Sequence, residues 1–134
     1  MNVERGKIRN RQFAQQLRDF SGMRWGNITP TDIDGFVEFG DDVFIFFEVK
    51  HGNTPLQGGQ RLALERLVDV VGEHRRGLLI VGTSDAPVDE DVNFANVVVR
   101  EYRFEGRWYL PQKEILMKTL ADAFLKSKRT KGMV

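Results

Sequence analysis

The chain has 134 residues, 41% of them hydrophobic, which is the bulk of one ordinary domain with a single core. Its 20 Lys and Arg nearly balance its 19 Asp and Glu, a formal net charge of +1, so the distribution of charge has to decide about a polyanionic partner. The absence of cysteine excludes a disulfide framework, a thiolate zinc site and a cysteine nucleophile. The start lacks an apolar signal core and no apolar run approaches bilayer length. The expectation is therefore a soluble, cytoplasmic protein with no membrane partner.

In chain order, basic residues come first: Arg5, Lys7, Arg9 and Arg11. Ile8, Phe13, Leu17 and Phe20 then recur at roughly helical spacing and predict an amphipathic helix, stopped by Ser21-Gly22. After a connection carrying Trp25 and Pro30, Ile33 to Lys50 predicts an antiparallel hairpin about Gly40-Asp41-Asp42. Phe44 to Phe47 is apolar on both faces, as a central strand should be.

His51 to Gly59 is a polar loop. Gln60 to Val71 predicts a second helix with Leu64, Leu67, Val68 and Val71 inward, and Leu78 to Val81 a short buried strand ended by Gly82-Thr83-Ser84-Asp85. Strand, helix and strand form a βαβ unit, with parallel strands and a right-handed crossover. Val97 to Phe104 and Trp108 to Leu110 flank Glu105-Gly106 as a second hairpin. A third helix is expected from Pro111 to about Lys126, with Ile115, Leu116, Leu120, Ala123 and Phe124 inward. Lys126, Lys128, Arg129 and Lys131 crowd the far end. The order is α-β-β-α-β, then a hairpin and a helix: one mixed-sheet α/β domain over 1–134.

The chemistry concentrates in the first hairpin. If its loop is Gly40-Asp41-Asp42, Asp34 lies across from Glu48, and Lys50 shares a face with Glu48. Two such carboxylates repel unless a cation lies between them or one keeps its proton. A hard divalent ion takes oxygen ligands, and the Val49 carbonyl can be the third. A lysine beside the ion can orient or deprotonate a water, or steady charge on a phosphate. Asp32 rivals Asp34, with the same face parity two residues further out. Asp41 and Asp42 read as turn residues, and Trp25, Trp108 and Tyr109 as core aromatics more readily than as base-stacking platforms.

An Asp followed by a strand ending Glu-x-Lys, inside an α-β-β-α-β order, resembles the PD-(D/E)xK nuclease superfamily of restriction endonucleases, Holliday-junction resolvases and phage and repair nucleases. The resemblance implies a mixed central β-sheet flanked by helices. Its restriction-endonuclease-like αβββαβ-type core would cover about 8–82, with a C-terminal hairpin and helix over 95–128 and a basic tail over 126–134. It implies that Asp34 and Glu48 ligate Mg²⁺, with Mn²⁺ able to substitute, and that Lys50 is the catalytic lysine. Gln60, in LQGGQRLALERL, matches a glutamine that opens the following helix in several branches. The sequence departs from the pattern in having Ile33-Asp34 for Pro-Asp. The middle of the first helix offers Gln12, Gln15 and Gln16 where many members carry an acid.

The expectation is a Mg²⁺-dependent deoxyribonuclease that hydrolyses phosphodiesters with a metal-activated water, of the kind found in phages, prophages or small dimeric resolvases. No reader module is evident, so specificity is expected for DNA structure or ends, or from a homodimer or a partner protein. Arg5, Lys7, Arg9, Arg11, His51, Lys126, Lys128 and Arg129 are the expected DNA contacts. The alternative is a non-catalytic nucleic-acid-binding or assembly module that retains the nuclease fold.

Overall fold

The structure, a computed structural model, describes residues 22–87 and 89–132, with side chains as far as residue 127. The helix expected over 8–20 and the basic residues Arg5, Lys7, Arg9 and Arg11 lie outside the described residues. The chain divides into two compact units, Met1–Asp32 and Ile33–Val134. In the described part of the first, Trp25 and Ile28 exchange backbone hydrogen bonds of 2.8 and 3.1 Å about a tight turn. Trp25 is exposed there, not the core aromatic its type suggested.

The second unit is a five-stranded mixed sheet with a helix on each face. Strands β1 (Gly35–Phe39) and β2 (Val43–His51) form the expected hairpin, with Phe39 opposite Val43 and Gly35 opposite Phe47. The turn has positive φ at Gly40 (56°) and Asp41 (58°), and the Asp42 N–H donates to the Phe39 carbonyl at 3.0 Å. Glycine enters that region without penalty and aspartate tolerates it, so the Gly-Asp pair fixes the register. Helix α1 (Gly58–Gly72) returns the chain to β3 (Arg76–Ser84), which lies parallel to β2. A 3₁₀ turn (Phe94–Asn96) leads into β4 (Val98–Phe104), and β5 (Arg107–Tyr109) follows about Glu105-Gly106. Helix α2 (Met117–Gly132) ends the described chain. The sheet order is β1-β2-β3-β4-β5. Two strands, not three, precede α1 among the described residues.

Alternation along the two central strands sorts the core into two layers. Val43, Ile45, Leu78 and Ile80 pack with Val97, Val99, Met117, Ala121 and Phe124 on the α2 face. Phe46, Leu79 and Val81 pack with Leu56, Leu64 and Val68 on the α1 face. Each fully buried apolar side chain of this kind stabilises the fold by about 1.5–3 kcal/mol. The even-numbered residues of β2 therefore face α1.

Two of the boundaries that differ from the sequence expectation have a cause in packing or pairing. β3 does not stop at Gly82 but runs through it to Ser84. A Cβ on Gly82 would lie 2.4 Å from Val97 Cγ1, 2.8 Å from Met117 Cε and 2.9 Å from the Val98 carbonyl oxygen, so glycine is there for close packing and not as a terminator. The last helix begins at Met117, not Pro111. Because β5 is only three residues long, the first half of β4 keeps an open edge, and residues 115–117 fill it. The Val99 N–H donates to the Ile115 carbonyl at 2.9 Å, and the Met117 N–H to the Val97 carbonyl at 2.8 Å. Leu116 bridges to Val98 as extended chain, and Ala123 is exposed rather than inward.

Polar contacts fasten α1 to the far side of the sheet. Arg61 grips Glu101 of β4 through two bonds of 2.9 and 3.0 Å, and Arg103 grips Asp69 at 2.9 and 2.7 Å. The Trp108 indole N–H donates to Glu65 at 2.6 Å, and the Arg61 guanidinium lies 4.0 Å from the centre of that ring. The hydrogen bonds to Glu101 hold the Arg61 guanidinium above its ordinary pKa, and those to Asp69 do the same for Arg103.

Candidate functional site

The C-terminal end of β2 carries the polar groups that its apolar body lacks. Glu48 is 1% exposed, the one charged side chain among the fully buried residues described. It sits on the α1 face, in alternation with Phe46, and Lys50 follows on the same face. Burying a carboxylate is costly unless hydrogen bonds compensate. Gln60, in the first turn of α1, is one such partner: its Nε2 donates to Glu48 Oε2 at 2.6 Å. At its other end, Gln60 Oε1 accepts from Lys50 Nζ at 2.7 Å. A carboxamide suits this place because it is a donor towards the anion and an acceptor towards the cation. Only one orientation of the amide satisfies both neighbours.

Asp34 stands one residue before β1. Continuing the register past the Gly35–Phe47 pair puts it level with Glu48. Its Oδ2 accepts a hydrogen bond of 2.8 Å from the Val49 backbone N–H. The N–H and C=O of one strand residue project to the same side, so the Val49 carbonyl points along the edge where Asp34 sits. The carboxylate takes the place of the backbone acceptor that a longer β1 would have supplied.

Hydrogen bonds thus link Glu48, Gln60 and Lys50 at the end of β2, and Asp34 stands level with Glu48 and holds the neighbouring Val49 N–H. His51 is exposed at the last position of β2, and Lys126 is exposed on α2. Lys128 and Arg129 lie in α2, but their side chains are outside the described residues. Asp32 falls in the other compact unit. Sequence reasoning missed the residues that shape the loop between Lys50 and Gln60. Thr83 donates its hydroxyl to the Gly52 carbonyl, and Arg100 donates to the carbonyls of both Gly52 and Thr54. Nothing in the local sequence marks Arg100, because a strand bulge aims it.

The donors that could hold a cation are the carboxylates of Asp34 and Glu48 and the Val49 carbonyl, all hard oxygens of the kind Mg²⁺ takes. Among the described residues no group of three or more His, Asp or Glu side chains is placed to hold a metal. No helix of the described residues is long and apolar enough to cross a membrane. Comparison with protein-family models, curated proteins and solved structures gave no match.

Proposed function

We propose that the chain is a small Mg²⁺-dependent deoxyribonuclease of PD-(D/E)xK type, acting in the cytoplasm. The observation that carries this reading is the Glu48–Gln60–Lys50 chain of hydrogen bonds at the end of a buried strand, with Asp34 level with Glu48. Asp34, Glu48 and the Val49 carbonyl would hold the ion. When bound, it supplies Lewis-acid stabilisation of phosphate charge and a more acidic water.

The protein's own groups do the rest. Lys50 has three N–H donors, one of which Gln60 takes, so its ammonium can also direct a water's lone pair at phosphorus and neutralise phosphoryl charge. Attack forms the new P–O bond as the bond to the leaving sugar oxygen breaks. The attacking water gives up a proton to solvent, and the leaving oxygen takes one from solvent water. Gln60 keeps Lys50 aimed and separates it from direct pairing with Glu48. With no reader module in the sequence, DNA structure or ends, or a homodimer or partner protein, would set the target.

A second reading is a non-catalytic nucleic-acid-binding or assembly module. It is favoured by Asp34, whose contact with the Val49 N–H also serves as a plain strand cap. The discriminating experiment is cleavage of supercoiled, linear and branched DNA with Mg²⁺ or EDTA. The nuclease reading expects cutting with Mg²⁺, none with EDTA, and a loss of about a hundredfold or more in Glu48→Ala and Lys50→Ala. Salt-dependent DNA binding without cutting in Mg²⁺ or Mn²⁺ would establish the second reading instead.

A further inference from the structure

We infer that Arg100 is a positioning residue, which uses a bulge in β4 to hold the turn after Lys50 and so keeps Lys50, Gln60 and Glu48 in line. The inference rests on the proposed nuclease reading for its kinetic consequence, but not for its structural one. Lys50 ends the α1-facing side of β2 and Gln60 lies in the first turn of α1, so the connection between them decides whether they meet. That connection is polar and short of apolar anchors: of residues 51–59, Leu56 alone is buried. Its path has to be fixed by hydrogen bonds.

The register of β4 supplies the fixing group. Val81 pairs with Glu101 and Gly82 with Val99, so Arg100 is the extra residue of a bulge. A bulge leaves its residue out of the ladder and redirects its side chain. The Arg100 guanidinium then spans the turn, donating at 2.5 Å to the Gly52 carbonyl and at 2.5 Å to the Thr54 carbonyl. The turn closes on itself with the Thr54 N–H donating to the His51 carbonyl at 3.1 Å. The Gly52 N–H donates to the Ser84 carbonyl at 2.9 Å, and Thr83 gives its hydroxyl to the Gly52 carbonyl. At the other end of the connection Arg61 donates to the Leu56 carbonyl at 3.0 Å.

Arg100 comes from furthest along the chain in this set, reaching from β4 to two carbonyls at once. A planar fork can span two acceptors in a way that a lysine cannot. Its contacts are to backbone carbonyls within the fold, so its effect should appear in turnover and not in substrate binding.

The test uses Arg100→Ala and Arg100→Lys in the full chain, with two readouts. In Mg²⁺-dependent DNA cleavage, kcat is expected to fall about ten- to a hundredfold in Arg100→Ala, the usual effect of removing a group that orients a functional one. KM should stay within about twofold, and added guanidinium ion should restore part of the rate. In the metal-free protein, the Gln60 side-chain amide resonance, assigned by its loss in Gln60→Ala, should be displaced and slowly exchanging in wild type. It should move towards the solvent-exposed position in Arg100→Ala. If Arg100→Ala does not fold, Arg100→Lys takes its place with the same expected direction in both readouts. An unchanged kcat, a raised KM with unchanged kcat, or an unmoved Gln60 resonance in the folded variant would overturn the inference. Should wild type not cut DNA at all, the nuclease reading falls, and the Gln60 resonance alone decides whether Arg100 positions the cluster.

Discussion

At Asp34 one carboxylate meets a need of the fold and would meet another in the proposed chemistry. Its Oδ2 caps the Val49 N–H, and its charge is what a cation would need. The two uses separate in two substitutions. Asp34→Asn keeps an oxygen for the Val49 N–H and should change stability by less than about 0.5 kcal/mol, whereas Asp34→Ala should cost about 0.5–2 kcal/mol in urea denaturation. Both should abolish cutting. If Asp34→Asn cuts like wild type, the residue is a strand cap and no more. Gly82 makes a prediction of packing alone. Of the three atoms an added methyl would meet, the Val98 carbonyl oxygen is backbone and cannot swing away. Gly82→Ala should therefore lose about 1–3 kcal/mol, seen as a lower urea midpoint at an unchanged slope. An unchanged midpoint would mean that this corner packs more loosely than its distances indicate.

At the scale of elements, the hairpin was legible because Gly40-Asp41 lies between two apolar runs and one-residue slips would turn every side chain over. Its register placed Asp34 level with Glu48, and residue spacing placed Lys50 on the same face as Glu48. The βαβ unit was legible from its alternation of periods. The start of α2 was not, because Pro111 is a good first helical residue, and only the short β5 makes residues 115–117 pair with β4 instead. Tertiary hydrogen bonding outweighed a local signal there. The bulge at Arg100 left no trace in the local sequence for the same reason. The polar side of α1 was partly legible: Arg61, Glu65 and Asp69 recur every fourth residue, a stripe overlooked beside the apolar one. Their partners Glu101, Arg103 and Trp108 come from β4 and β5, which spacing alone does not pair. A double-mutant cycle of Arg61→Ala with Glu101→Ala should give a coupling of about 1 kcal/mol, since the bidentate pair is mostly shielded from water. A coupling near zero would leave the docking of α1 to its apolar stripe alone.

For the whole molecule, the architecture explains why one strand end can carry the chemistry. β2 is a central strand, covered on one face by α1 and on the other by the α2 layer, so Glu48 near its end is fully buried while Lys50 and Asp34 stay half-exposed. Burial of this kind strengthens electrostatic interactions and keeps the groups that make them in fixed directions. An ion held there would stabilise the folded state in proportion to its differential binding. Mg²⁺ should therefore raise the melting temperature of wild type and leave that of Glu48→Ala unmoved. The most direct test of the central claim is a crystal of the protein soaked in Mn²⁺. An anomalous peak is expected beside Glu48, within ligand distance of Asp34 and the Val49 carbonyl and missing from Glu48→Ala. No peak there at millimolar Mn²⁺, with Gln60 still bridging Glu48 and Lys50, would contradict that claim.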